Sequence, residues 1–157
     1  IAERFSKIGS QPELREVNLQ EVIRNVADYI SRRASDKVNL TCSFPDDCTK
    51  VRICPPLFEW VIENLCKNAI DAMADEGSIT IYVYHHGPHI AIDVVDTGKG
   101  ISKKHFRTVF RPGFTTKKRG WGLGLSLAKR IIEEYHGGRI FVKESDPGRG
   151  TTFCILL

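Results

Sequence analysis

The spacing of apolar residues in this chain switches repeatedly between helix and strand periods, and the order of the switches limits the fold more than any single motif. Asn18 is placed to cap a helix running to about Arg33, with Leu19, Val22, Ile23, Val26 and Ile30 on its inner face. VNLTCSF (38–44) and KVRIC (50–54) read as strands separated by the turn residues of PDDC. A long helix follows Pro55 and Pro56 and runs to about Ala74. SITIYVYHH (78–86) and HIAIDVV (89–95) then form a hairpin across Gly87 and Pro88. After a loop-rich stretch from 96 to 122, Leu123, Leu127, Ile131 and Tyr135 recur at intervals of four and predict a third helix, stopped by Gly137 and Gly138. RIFVKE (139–144) and TTFCILL (151–157) pair across DPGRG. The strand pairs join through short turns, so each is expected to be antiparallel. This order predicts an α+β fold: a two-layer sandwich in which one mixed, mostly antiparallel sheet is covered on one face by about three helices. A doubly wound parallel sheet fits less well.

At 157 residues the chain is long enough for one sizeable core. Its 41% hydrophobic and 27% charged residues are those of a globular, soluble domain. No run of about 18 apolar residues is present to span a bilayer. The chain begins at Ile1 and is expected to be a piece of a longer protein. Residues 1–15 are polar, contain Gly9 and Pro12, and read as the end of an upstream element plus a linker, leaving 16–157 as the domain. The five cysteines, Cys42, Cys48, Cys54, Cys66 and Cys154, form no C-x-x-C pair and read as reduced core thiols of a cytoplasmic domain. No histidine spacing suggests zinc. The net charge of +4 gathers in Lys103, Lys104, Arg107, Arg111, Lys117, Lys118 and Arg119, a basic segment suited to a small anion or to nucleic acid.

Three stretches carry candidate chemistry. Gly120, Gly122 and Gly124 stand at the entrance to the third helix, where glycine costs about 1 kcal/mol relative to alanine. The preceding residues, TTKKR, are polar, so this is no dinucleotide fingerprint, and no P-loop spacing can be drawn. Glycines ahead of a helix N-terminus let backbone N–H groups approach an anion, and they also serve as plain turns. In FEWVIENLCKNAIDAM (58–73), Asn64, Asn68 and Asp71 share a stripe bordering the apolar arc. Side-chain amides offer oxygen to Mg2+ without adding negative charge, and they also satisfy nearby backbone groups. In IAIDVVDTGKGI (90–101) an apolar strand ends at Asp96. A carboxylate there accepts from the amino group of adenine and repels the carbonyl of guanine; the same letters also make a common turn.

Taken in order, NLCKNAIDA (64–72), DTGKGI (96–101), FRPGFTTK (110–117), GWGLGLSLAK (120–129) and GRGTTF (148–153) resemble the N, G1, F, G2 and G3 boxes of sensor histidine kinases. The resemblance runs from about residue 17 to the C-terminus. It implies a Bergerat-type ATP-binding domain of the GHKL superfamily, with ATP and Mg2+ as ligands. Asn68 would ligate the magnesium and Asn64 would support phosphates and metal, the two forming the catalytic pair with Asp71 beside them. Asp96 would recognise adenine in a pocket shaped by Gly98, Gly100 and Ile101 and backed by Thr151. Phe110 and Phe114 would anchor a mobile lid containing Thr115, Thr116 and Lys117. Gly120, Gly122 and Gly124 would flex that lid, while the amides around Leu123, Leu125 and Ser126 hold phosphates.

Two departures from the family stand out. Many members carry Lys or Arg where this chain has Asp71. No phosphoacceptor box is present, for none of His85, His86, His89, His105 and His136 is followed by an acid on a helical hairpin. The resemblance therefore implies a catalytic domain that donates the γ-phosphate to a histidine on a separate dimerisation domain. That parent would be a homodimer, with room for an anchor in the inner membrane, passing phosphate to the receiver domain of a response regulator. The fragment itself would be a monomer that hydrolyses ATP slowly or not at all and binds no nucleic acid. Hydrolytic relatives and protein serine kinases place a glutamate four residues before the metal asparagine; here that position is Asn64, and Glu63 lies about 100° away around the helix. A nucleotide sensor without transfer is the remaining alternative, and a polyanion binder would betray itself by steep salt dependence.

Overall fold

The computed structural model describes residues 11–47, 49–115 and 122–157. Its elements in chain order are β1 (Arg15–Asn18), α1 (Leu19–Arg33), β2 (Val38–Ser43), β3 (Lys50–Ile53), α2 (Pro55–Ala72), β4 (Gly77–His86), β5 (His89–Asp96), α3 (Gly124–Arg130), β6 (Arg139–Asp146) and β7 (Gly150–Leu156). A π-helical turn, Ile131–Tyr135, continues α3.

The main sheet has the order β2-β4-β5-β7-β6. Its neighbours are antiparallel except β2 and β4, which run parallel with Val38 opposite Gly77. One face of the sheet buries Ile79, Ile81, Ile92, Val94, Phe153 and Ile155 under the helices. α1 contributes Leu19, Val22, Ile23, Val26 and Ile30 to that core, the face its spacing predicts. The Asn18 side chain caps α1 by accepting from the Gln20 amide at 3.0 Å. Each fully buried aliphatic side chain stabilises by about 1.5–3 kcal/mol relative to exposure, so this face holds the sandwich together. The two-layer α+β architecture matches the expectation.

One pairing does not. KVRI was expected to form an antiparallel hairpin with VNLTCS. Instead β3 pairs antiparallel with β1, a strand absent from the sequence reading, and β2 joins the main sheet through β4. The connection explains why. The Gln20 side chain donates to the Pro45 and Asp47 carbonyls at 3.2 and 2.9 Å, and the Leu19 amide donates to the Thr49 carbonyl at 2.9 Å. The chain after β2 is thus drawn across the N-terminus of α1. There it emerges beside residues 15–18 rather than beside its own predecessor.

The third helix also departs from its spacing. Leu123 is 51% exposed, and the buried residues are Ala128, Ile131 and Ile132. The π turn, closed by the His136 amide on the Ile131 carbonyl at 3.2 Å, inserts one residue and rotates the remaining stripe. Among the described residues Cys42, Cys54, Cys66 and Cys154 are free thiols, as expected; burial pushes Cys66 up to about 12. Cys48 lies outside the described residues.

In β6 the register slips between Val142 and Glu144. Val142 faces Phe153, yet Ser145 faces Thr151, so three steps along β6 match two along β7. This bulge reverses the alternation and turns Ser145 to the inner face.

Candidate functional site

The edge of α2, the end of β5 and the start of α3 surround a cavity of about 610 Å³. α2 exists here because Pro55 opens it without needing an N–H, and because its apolar arc, including Phe58, Val61, Ile62 and Leu65, buries against the sheet. That packing leaves Asn64, Asn68 and Asp71 on the cavity side. The Nδ2 of Asn64 is buried and has no hydrogen-bond partner among the described residues. Leaving such a donor unpaired costs about 1–3 kcal/mol, so the position is built for an acceptor that the protein does not itself supply.

Gly124 stands directly against this amide. A Cβ at Gly124 would strike both Oδ1 and Nδ2 of Asn64. The glycine therefore lets the first turn of α3 close on α2. No side chain caps this helix at Leu123, so its first amides are left for other acceptors. Gly122, Leu123, Gly124 and Leu125 line the cavity, whereas Ser126 does not; its hydroxyl donates to the Leu123 carbonyl at 3.0 Å.

At the opposite wall Asp96 is 5% exposed. Its Oδ1 accepts from the Gly98 amide at 2.8 Å and from the Thr151 amide at 3.3 Å. Burial raises its carboxyl above the ordinary value of 3.8, against the opposing pull of those two amides. The surrounding backbone is assembled by glycine. Gly100 has φ +78, and a side chain there would run into the Asp146 carbonyl; Gly150 has φ +110, and a side chain there would run into the Asp96 carbonyl. The loop after β5 and the β6–β7 turn thus dock backbone to backbone, helped by the Gly148 amide on the Lys99 carbonyl at 2.7 Å. Gly98 packs against Ala72 of α2 and does not line the cavity, so its part is structural contact rather than pocket wall.

Of the other expected residues, Gly100, Ile101, Phe114, Thr115 and Thr151 line the cavity. Phe110 is core: it is buried edge-on against Phe153, with ring centroids 6.1 Å apart. Phe114 meets the His105 ring at 5.3 Å. Thr116, Lys117 and Gly120 lie outside the described residues. The sequence reading missed Ala72, Lys99, Ser102, His105, Val109 and Phe153 as lining residues. Lys99 and Ala72 sat inside quoted motifs, so position could have marked them. His105 could not be placed, because two short 3₁₀ turns, Lys103–His105 and Thr108–Phe110, fold the loop back over the site.

Residues 53–157 match the family described as histidine kinase-, DNA gyrase B-, and HSP90-like ATPase. The sensor histidine kinase ZraS of Salmonella typhi is 36% identical over 146 residues, covering 92% of this chain and 31% of that protein. Sporulation kinase E of Bacillus subtilis is 34% identical, covering 90% of this chain and 19% of that protein. The chain therefore spans about a third or less of the curated relatives it matches. The nucleotide-free catalytic domain of histidine kinase ThkA superposes with a TM-score of 0.83 at 29% identity, covering 92% of this chain and 95% of that one. ThkA in complex with the response regulator TrrA gives 0.81 at 25% identity, covering 99% of this chain and 45% of that one. The chain belongs to the histidine kinase-, DNA gyrase B- and HSP90-like ATPases, and its sequence and fold are those of a sensor histidine kinase catalytic domain.

Proposed function

We propose that this domain binds Mg–ATP in the 610 Å³ cavity and, in its parent protein, presents the γ-phosphate to a histidine on a separate dimerisation domain. The observation that carries the reading is the buried, unpartnered amide nitrogen of Asn64, set against the uncapped start of α3. A phosphate oxygen satisfies both, since the helix N-terminus favours an anion and the amide supplies a donor. The residues present fit the metal as well. Asn68 would offer the ion an amide oxygen from the same helix stripe. The ion would neutralise phosphate charge as it leaves.

Asp96 would accept from the adenine amino group, with Gly100, Ile101 and Thr151 around the base. Thr115 and Leu123 would flank the phosphates; Thr116, Lys117 and Gly120, expected in the lid, lie outside the described residues. Asp71 on the wall would repel phosphate and suits metal-bound water instead. Glu63 is 7% exposed and does not line the cavity, which favours transfer to an outside acceptor over hydrolysis. The residues before β1 would be the end of the preceding hairpin and a linker, while Arg15 already pairs with Ile53 of the domain. The complex of ThkA with the response regulator TrrA supports a response regulator as the downstream partner, and the parent would be a homodimer through the separate histidine domain. No described helix is long and apolar enough to cross a membrane.

Calorimetric titration with a non-hydrolysable ATP analogue, with and without Mg2+ and with GTP as control, tests this. Saturable binding of the adenine nucleotide over GTP, tightened by Mg2+, is expected. Equal binding of both nucleotides, or none, overturns it.

A further inference from the structure

Ser145 is 7% exposed and does not line the cavity, yet its hydroxyl has three partners. The Ile101 amide donates to its Oγ at 2.6 Å. The Gly150 carbonyl lies at 3.0 Å, and the Thr151 Oγ1 at 2.8 Å. A serine hydroxyl has one proton and two lone pairs. The Ile101 amide can only donate, so it takes one lone pair. The Gly150 carbonyl can only accept, so it takes the proton. One lone pair is left, and Thr151 must fill it by donating its own hydroxyl proton.

The consequence reaches the cavity wall. The Thr151 amide donates to Asp96, and its hydroxyl proton now points to Ser145. Thr151 is 5% exposed and lines the cavity, so toward a ligand there its hydroxyl can act only as an acceptor. Asp96 beside it is an acceptor with both described hydrogen bonds on Oδ1. Thr151 and Asp96 thus both turn acceptors, and no proton of their own, to this part of the wall. The bulge in β6 is what aims Ser145 here, because without the extra residue its side chain would point to the other face of the sheet.

We propose that Ser145 is a positioning residue for nucleotide selection: by taking the Thr151 proton it makes Thr151 a second acceptor beside Asp96, and the pair, facing purine position 6, favours the two protons of a 6-amino group over a 6-carbonyl. This rests on the reading of the cavity as the ATP site. Asp96 supplies one acceptor, and Ser145 locks the polarity of the second.

ADP and inosine diphosphate are the probes, since they differ at purine position 6 and in the proton on N1. Calorimetry on the intact chain gives their affinity ratio. Thr151→Val is expected to weaken ADP about fivefold, the size of one neutral hydrogen bond, and to leave inosine diphosphate unchanged. Ser145→Ala is expected to narrow the ADP preference by a similar factor, because the freed Thr151 hydroxyl can turn and donate. In the Thr151→Val background, Ser145→Ala should change the ratio no further. The inference is overturned if Thr151→Val weakens inosine diphosphate instead of ADP. It is also overturned if folded Ser145→Ala keeps the native ratio, or shifts it equally with and without the Thr151 hydroxyl. Should Ser145→Ala fail to fold, Thr151→Val alone still decides the polarity. Failure of the native chain to prefer ADP sinks the ATP-site reading itself, a separable result.

Discussion

Asp96 is caught between burial, which favours its neutral form, and two backbone amides, which favour its charged form. Burial is the larger influence, and the folded carboxyl titrates above its ordinary 3.8. The sign for stability follows. Between the unfolded and folded pKa values the folded state holds more protons, so stability falls as pH rises through that window. Asp96→Asn removes this loss and keeps an oxygen for the Gly98 and Thr151 amides. Its melting temperature at pH 7 should therefore be no lower than that of the native chain, read by calorimetry. Binding should respond oppositely. An NH2 group replaces an acceptor beside the base, and a hydrogen bond to a charged group is worth about 1.5–3 kcal/mol, so ADP affinity should fall about ten- to hundredfold. A variant that loses stability and binding together would make Asp96 a structural residue. The place of Asp96 on the cavity wall was legible through the order of the motifs around it, because D-T-G alone also makes a common turn. Ser145 was not, because its role depends on a one-residue bulge that no spacing announces.

At the level of elements, helices were readable from period and caps, while strand partners were not. α1 begins at its Asn18 cap and α2 at its two prolines, because both signals are local. β3 was given the wrong partner because its pairing is set by Gln20 and Leu19, some thirty residues upstream, holding the connecting loop. The π turn after α3 shows the same limit, and it positions a clamp. His136 Nδ1–H donates to the Ile131 carbonyl at 2.9 Å, and its Nε2 accepts from the Cys54 amide at 3.0 Å, at the start of α2. Only the neutral ring satisfies both. Protonation would set an N–H against an N–H, and burial lowers the pKa below 6.5. The unfolded state then binds more protons than the folded state between the two values. Stability is fully present above 6.5 and is lost as pH falls through it toward the folded value. The urea midpoint should drop as pH falls below 6.5, and His136→Gln should flatten that drop. An unchanged slope in the variant would assign the acid sensitivity to another group.

The cavity is walled by parts of the chain that meet only when the whole molecule is folded: α2, the end of β5, the loop over it, the start of α3 and β7. No segment can form it alone, so a ligand held there binds the folded state and scarcely the unfolded one. Mass action then sets the size of the effect. At a concentration one hundred times its dissociation constant, a nucleotide should stabilise the domain by about 2.7 kcal/mol. For a chain of 157 residues that corresponds to a rise in melting temperature of about 5–10 °C. Gly124→Ala separates this from a general anion effect. Its methyl would push α3 away from Asn64 at the surface of the cavity, without touching the helix–sheet core. The variant should fold, and should lose most of the nucleotide-induced rise. A polyanion bound through the basic segment would stabilise native and variant chains alike, with an effect that fades steeply with salt. If nucleotide raises both melting temperatures equally, the start of α3 is not where the phosphates lie.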